Sequence, residues 1–255
     1  TFQYALYSPN TSTVNPKQVC RHIANSFPNT VSILFNSKLV GLKQNVAYTN
    51  GAKIKYRYLF NAAGLYADKI SHMQGIGTEY TMIPFKGLYL QHTDNNLLQR
   101  HIYPVPNLHN PFIGVHFTKT VNQQVKIGPT VTPAFWRENY NFKSRFVFSE
   151  FLEILSQEAL LFLSNSFNFR TIAYDEIKKY VRKNLIAASS KLIRQLKPSD
   201  FGQYTKPGIR AQLLNKNTRE LVMDFVVEHG ENSTHVLNSL SPAFTSAFPF
   251  SKYIV

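Results

Sequence analysis

Cys20 is the single cysteine in this 255-residue chain. It excludes an intrachain disulfide, and also zinc or iron–sulfur ligation by cysteine, which needs two to four thiolates. One thiol suits a reducing compartment. Long apolar runs are missing too: no window approaches the ~18 uninterrupted apolar residues of a membrane span. Residues 1–10 show neither the basic start nor the apolar stretch of a secretory leader. Acid is scarce, with 14 Asp and Glu against 28 Lys and Arg and a net charge of +14. The excess is uneven. Residues 1–136 carry 12 basic against 3 acidic side chains, residues 137–196 carry 10 against 6, and residues 197–255 carry 6 against 5. Such a surface attracts anionic lipid, nucleic acid or an acidic small molecule, and is otherwise a solvated face.

Two motif classes are also missing. The eight histidines never fall at HxH or HExxH spacing, so no metal site is expected. Gly75-Ile76-Gly77-Thr78-Glu79-Tyr80 starts like a dinucleotide fingerprint. Tyr80 stands where the third glycine belongs, and the segment follows a helical pattern rather than a strand, so it reads as a turn. No nucleic-acid-binding motif accompanies the charge, and nucleic acid is not an expected partner.

What is present is a mixed pattern with a 44% hydrophobic content, enough for a buried core. Pro16 opens a short helix over residues 16–27, with Val19, Ile23 and Phe27 four apart. Strand-like runs cover residues 31–35, 38–43 and 45–49, and Asn50-Gly51 marks a hairpin before an alternating run over 53–60. A helix at about 66–73 precedes strands at 81–84, 87–92, 101–104, 112–117 and 124–127. Residues 144–197 change to helical spacing. Phe146, Phe151, Ile154, Leu155, Leu161 and Phe162 fit one helix, and Ile177, Val181, Leu185, Ala188, Leu192 and Leu196 fit a second. Residues 209–214 and 221–227 read as a hairpin and 234–238 as a strand. Ser241-Pro242 then starts a final helix, Ser as N-cap and Pro in the first turn.

Several segments offer chemistry. Residues 58–68 run from a strand through Ala62-Ala63-Gly64 into a helix. Small residues there let either a ligand or another backbone approach closely. Lys86, Tyr89, Tyr103 and His116 fall on neighbouring strands. A histidine with apolar and β-branched neighbours is more often a hydrogen-bonded core residue than a base. Arg210, inside an apolar strand start, either points to solvent or turns its planar fork inward, where it suits a carboxylate.

Taken in order, these segments resemble the L-2-hydroxyglutarate oxidase/dehydrogenase group of the D-amino-acid-oxidase-like flavoproteins. The resemblance is carried by Ser8-Pro9 with Val14-Asn15, Asn61-Ala62-Ala63-Gly64-Leu65-Tyr66-Ala67-Asp68, Pro84-Phe85-Lys86-Gly87 and Ile102-Tyr103-Pro104-Val105-Pro106. It continues through Pro111-Phe112-Ile113-Gly114-Val115-His116-Phe117-Thr118, Ile127-Gly128-Pro129, Gly208-Ile209-Arg210-Ala211-Gln212, Asp224-Phe225, His235-Val236-Leu237-Asn238 and Ser241-Pro242-Ala243-Phe244-Thr245-Ser246.

The resemblance implies an α/β (α+β) fold. Residues 1–78 would be a partial FAD-binding domain of the glutathione-reductase-like type, its first Rossmann βαβ unit absent. Residues 79–206 would be a β-sheet substrate domain with a helical insertion at 144–197, and residues 207–255 would return to the FAD-binding domain. It implies oxidation of a 2-hydroxy acid, L-2-hydroxyglutarate to 2-oxoglutarate, with FAD accepting the hydride. His116 becomes the candidate base and Arg210 the candidate carboxylate anchor. Lys86, Tyr89 and Tyr103 become substrate contacts, and Ala63, Gly64, Ser241, Pro242 and Thr245 cofactor contacts, with no metal. The expected setting is cytoplasmic, peripheral on the inner membrane face, with an anionic membrane surface or a quinone acceptor as partner. A separately encoded N-terminal FAD-binding segment is a further expected partner. The alternative is a non-catalytic relic, or a membrane-surface binding module, that keeps the substrate-domain fold.

Overall fold

The fold is described from a computed structural model, over residues 4–105, 112, 114–141, 145–239 and 243–255. The first elements are α1 (Pro16–Asn25), β1 (Leu39–Lys43), β2 (Val46–Thr49), β3 (Lys53–Lys55), β4 (Leu59–Asn61) and α2 (Ala67–His72). Then come β5 (Tyr80–Gly87), β6 (Leu90–His92), β7 (His116–Lys119), β8 (Val125–Gly128) and β9 (Thr132–Pro133). Three helices follow, α3 (Phe148–Ser164), α4 (Phe169–Lys178) and α5 (Arg182–Ser189). The chain ends with β10 (Phe201–Tyr204), β11 (Gly208–Asn215), β12 (Glu220–Leu221), β13 (Val226–Gly230), β14 (Ser233–Asn238) and α6 (Ala247–Ile254). No helix among the described residues is long and apolar enough to cross a membrane.

Contacts divide the chain into two compact units. The first comprises Thr1–Leu34, Lys86–Thr132 and Ile172–Gly208, and the second Phe35–Phe85, Pro133–Thr171 and Ile209–Val255.

The first unit is built on an antiparallel sheet of order β10-β6-β8-β7. Period-two alternation sorts its side chains onto two faces. Leu90, Phe117, Val125, Ile127 and Phe201 lie on one face and form a buried cluster with Leu185 and Ile186 of α5. Fully burying each such side chain contributes ~1.5–3 kcal/mol. The other face carries Gln91, Lys126, Gly128, His116 and Thr118, in register as Gln91↔Lys126, Thr118↔Lys126 and His116↔Gly128. The apolar positions on one face therefore fix the polar positions on the other. Helix α1 starts where expected: Pro16 opens it, and the Asn15 side chain accepts from the N–H groups of Lys17 and Gln18.

The second unit holds the meander β1-β2-β3, the sheet β13-β14-β4 and most of β12-β11-β5-β9. Asn50-Gly51 makes the expected hairpin between β2 and β3, and the turn after Asn215 joins β11 to β12. The pair β4–β14 is parallel, with Ser233↔Leu59, Thr234↔Phe60 and His235↔Asn61. Ala67, Met82, Leu213 and Leu237 form the buried cluster of this unit.

Several expectations give way, among them the strand at 101–104, where only Ile102 bridges to Phe117. Residues 31–35 form no strand; Val31, Ile33, Leu34 and Phe35 are exposed and find no pairing edge. The single helix expected through Ile177 and Leu196 is broken. Helix α4 stops at Lys178, Val181 is extended (φ −71, ψ 118), and α5 ends at Ser189, so Leu192 and Leu196 pack on the core from a loop. The last helix begins at Ala247, behind four turn residues, rather than at Ser241.

Candidate active site

In the first unit, three of the expected site residues converge. His116 opens β7 and is buried on the polar face. The Tyr103 ring lies 4.7 Å from the His116 ring, tilted by 32°. The Tyr89 ring lies 6.2 Å from it, edge-on at 74°. His116 opposes Gly128, which has no side chain. A Cβ there would stand 2.7 Å from the Leu88 carbonyl oxygen and 3.0 Å from the Tyr89 ring, at a φ of +141° that side chains rarely adopt. The glycine thus lets the Tyr89 backbone close onto β8 and brings its ring toward His116. Burial and the neighbouring Tyr89 hold the Tyr103 hydroxyl above its ordinary pKa, and it lies 3.1 Å from His101 Nδ1.

His116 Nδ1 sits 3.0 Å from the Gly114 carbonyl oxygen. A carbonyl only accepts, so Nδ1 carries a proton, which makes Nε2 the nitrogen that can act as a base. Lys86, near the end of β5, is half-buried, and burial lowers its ammonium pKa. Its carbonyl accepts from Thr132 Oγ1 at 3.2 Å. No hydrogen bond or ion pair of the Lys86 side chain is found among the described residues.

In the second unit, Ala63 and Gly64 leave the C-terminal end of β4 and are exposed. Gly64 has φ +55°, and nothing lies within 4 Å of where its Cβ would be. The carboxyl ends of parallel strands are where open α/β sheets receive ligands, and β14 runs parallel beside β4 and continues past its end. Buried groups hold the two strands together. Asn61 Nδ2 donates to His235 Nδ1 (3.0 Å) and to the Ala67 carbonyl (2.8 Å), and His235 Nε2 lies 2.9 Å from Ser233 Oγ. Burial, then nearby His229, lowers the His235 pKa, so the ring is neutral, its Nε2–H donating and its Nδ1 accepting. Asn61 Oδ1 accepts from the Ala63 N–H at 3.2 Å and shapes the small-residue turn. Thr245 is exposed in the turn before α6. Ser241 and Pro242 lie outside the described residues. Arg210, in β11, is half-buried, and no ion pair or hydrogen bond of its side chain is found among the described residues.

The sequence reading missed a buried ion pair that supports the turn after β4. The Arg137 guanidinium donates through both Nη atoms to the two Asp68 carboxylate oxygens, each at 2.8 Å, and also to the Leu65 carbonyl. Both side chains are fully buried. The Met82 and Lys69 N–H groups each donate to Asp68 at 2.8 Å. Burial pushes the Asp68 carboxyl up, but the Arg137 fork and these backbone donors outweigh it and hold it below the usual carboxylate range. A lone arginine behind Ala134-Phe135-Trp136 was the available signal.

The two units thus define a mixed α/β protein that offers the carboxyl ends of parallel strands in one part and a sheet face with a buried histidine in the other. The chain belongs to the FAD dependent oxidoreductase family, whose model matches residues 1–255. It is similar to the L-2-hydroxyglutarate dehydrogenase of Indibacter alkaliphilus, 33% identical over 95% of this chain and 62% of that protein. It is also similar to the mitochondrial L-2-hydroxyglutarate dehydrogenase of Homo sapiens, 30% identical over 98% of this chain and 58% of that protein. The chain therefore spans about three-fifths of the length of these relatives. Among solved structures, the FAD-bound L-alpha-glycerophosphate oxidase of Mycoplasma pneumoniae shares its fold, with a TM-score of 0.54 and 16% identity over 85% of this chain and 48% of that one.

Proposed function

We propose that this chain forms the substrate-facing part of an FAD-dependent oxidoreductase that converts L-2-hydroxyglutarate to 2-oxoglutarate. The observation that carries the reading is His116, buried on a polar sheet face with Nε2 as its basic nitrogen and two tyrosine rings against it. On this reading residues 79–206 are the substrate domain, and residues 1–78 and 207–255 belong to the FAD-binding domain. The turn after β4 fits the cofactor: Gly64 is exposed, has positive φ, and leaves open space for a close approach. Ala63, Gly64 and Thr245, with Ser241 and Pro242, would hold FAD, which when bound supplies the hydride acceptor.

His116 Nε2 takes the proton of the substrate hydroxyl, and Nδ1–H stays on the Gly114 carbonyl and keeps the ring oriented. Tyr89 and Tyr103 are polar contacts for the substrate beside His116, the Tyr103 hydroxyl also lying 3.1 Å from His101 Nδ1, and Lys86 adds a positive charge. In the second unit, Arg210 keeps its role as a candidate carboxylate anchor, for which its planar fork is suited. Contact with an anionic membrane surface is supported by the exposed Phe148, Leu152, Phe162 and Leu163 on α3 together with the basic charge of the chain. Such a surface is where a quinone acceptor would be met.

The test is anaerobic addition of L-2-hydroxyglutarate to the chain supplied with FAD, both alone and joined to the part of the Indibacter relative that it does not match. The visible flavin band should bleach, and His116→Ala should slow bleaching by roughly 10²–10⁴-fold. Bound flavin that stays oxidised would overturn the reading.

A further inference from the structure

Two residues along β7 from His116, at Thr118, the polar sheet face of the first unit carries a cavity of about 270 Å³. Its lining includes Tyr89, Thr118, Lys126, Thr205 and Lys206. Backbone pairing assembles it. Thr118 and Lys126 face each other across β7 and β8, and the Thr205 N–H donates to the Tyr89 carbonyl at 2.8 Å, which carries Lys206 to the rim. No carboxylate lines this cavity. Neither ammonium makes an ion pair or hydrogen bond among the described residues. Two like charges at one cavity repel unless something negative comes between them. The Tyr89 and Thr118 hydroxyls around them can donate to that same group, while the Thr205 hydroxyl donates to the Lys206 carbonyl.

We infer that this cavity is the subsite for the second carboxylate of a dicarboxylic 2-hydroxy acid, held by Lys126 and Lys206. The placement sets the length of the ligand. Thr118 lies two residues along β7 from His116 on the same face, a separation of ~7 Å. An extended five-carbon acid spans that interval, with its hydroxyl-bearing carbon toward His116 and its far carboxylate between the lysines. The cavity is therefore a selectivity device: a monocarboxylic 2-hydroxy acid leaves both ammonium groups without a partner. The inference rests on the proposed role of His116.

Glutarate tests it on the full 255-residue chain, because it carries both carboxylates and has no hydroxyl to oxidise. NMR or calorimetric titration with glutarate should show binding that weakens about tenfold in Lys126→Met and about tenfold in Lys206→Met, and that Lys126→Arg largely retains. Butyrate and inorganic phosphate, titrated in parallel, should bind more weakly and lose less. Unchanged glutarate affinity in both methionine variants overturns the subsite. So does equal binding of butyrate or phosphate, which would mark a general anion surface. Flavin reduction without lysine-dependent glutarate binding removes the subsite and leaves the redox reading standing. Lysine-dependent glutarate binding without flavin reduction removes the redox reading instead.

Discussion

The two units carry equal numbers of basic side chains and use them in opposite ways. Each has 14 Lys and Arg, but the first has 4 Asp and Glu and the second has 10. In the second unit, charges tie distant segments together, Asp68 to Arg137 and Lys69 to Glu153, and Glu138 pairs with Arg145. In the first, the described ion pairs are local ones, Lys178 with Asp175 and Lys179 with Glu176, three residues apart on one helical stretch. Burying a charge is tolerated when a partner and hydrogen bonds come with it. The second unit meets that condition and uses charge as scaffold. The first leaves Lys126 and Lys206 without acids and keeps charge for an outside ligand.

Breaking the scaffold should produce the largest effect. Asp68→Asn leaves Arg137 buried against a neutral amide, and should cost ~3–5 kcal/mol in urea unfolding. The cost should shrink at low pH. The Asp68 pKa is lower in the folded chain, so its contribution is present above the ordinary carboxylate value of 3.8 and is lost as pH falls through the folded value. Replacing both partners, Asp68→Leu with Arg137→Met, should recover much of the loss. A double variant no more stable than Asp68→Asn would show that the scaffold needs more than this pair.

The first unit should break through its backbone instead of its charges. Gly128→Ala puts a Cβ 2.7 Å from the Leu88 carbonyl oxygen at a φ of +141°. The expected cost is ~1–3 kcal/mol, with displacement of Tyr89 from His116. NMR shifts of the His116 ring would report it, and an unmoved ring would show that Tyr89 is placed by something other than Gly128.

Sequence patterning revealed this architecture unevenly, for physical reasons. Local signals worked where local energies decide. Asn15 before Pro16 caps α1, Asn50-Gly51 turns a hairpin, and alternation along β7 and β8 separates core from polar face. The short spacing among Tyr89, Tyr103 and His116 let neighbouring strands be read as one cluster, which the structure forms. Lys126 and Lys206 are separated by some eighty residues, so nothing local links them. The Asp68–Arg137 pair spans 69 residues and was equally hidden. The run through Ile177 and Leu196 failed for a different reason: its apolar spacing is real, but a turn at 179–181 divides it, and the later leucines pack without being helical.

Glu158 sharpens the comparison, because it is the second unit's exception. It is buried in α3, its Oε1 lacks a hydrogen-bond partner, and burial pushes its carboxyl up to about 8. The folded state then holds a proton that the unfolded state releases above about 4.5. Stability therefore falls as pH rises from about 4.5 to about 8. Glu158→Gln should remove that slope and stabilise the chain by ~1–3 kcal/mol at pH 8, with little effect at pH 4. Urea melts at the two pH values check it. Equal effects at both would mean that Glu158 is already charged and paired.

The smallest effect is expected at Arg145. It pairs with Glu138 at 2.6 Å, but its side chain is 75% exposed. Exposed pairs contribute ~0–1 kcal/mol, because water screens the attraction and ordering a long side chain offsets the rest. Glu138 also keeps a second partner, the Tyr66 hydroxyl, which donates to it at 2.9 Å. Arg145→Ala should therefore cost under ~1 kcal/mol and lose even that in high salt. A larger, salt-insensitive loss would mean that the buried network around Asp68 reaches the surface through Glu138 and Tyr66. The scaffold would then be a continuous chain of charges, with the Asp68–Arg137 pair as one link in it.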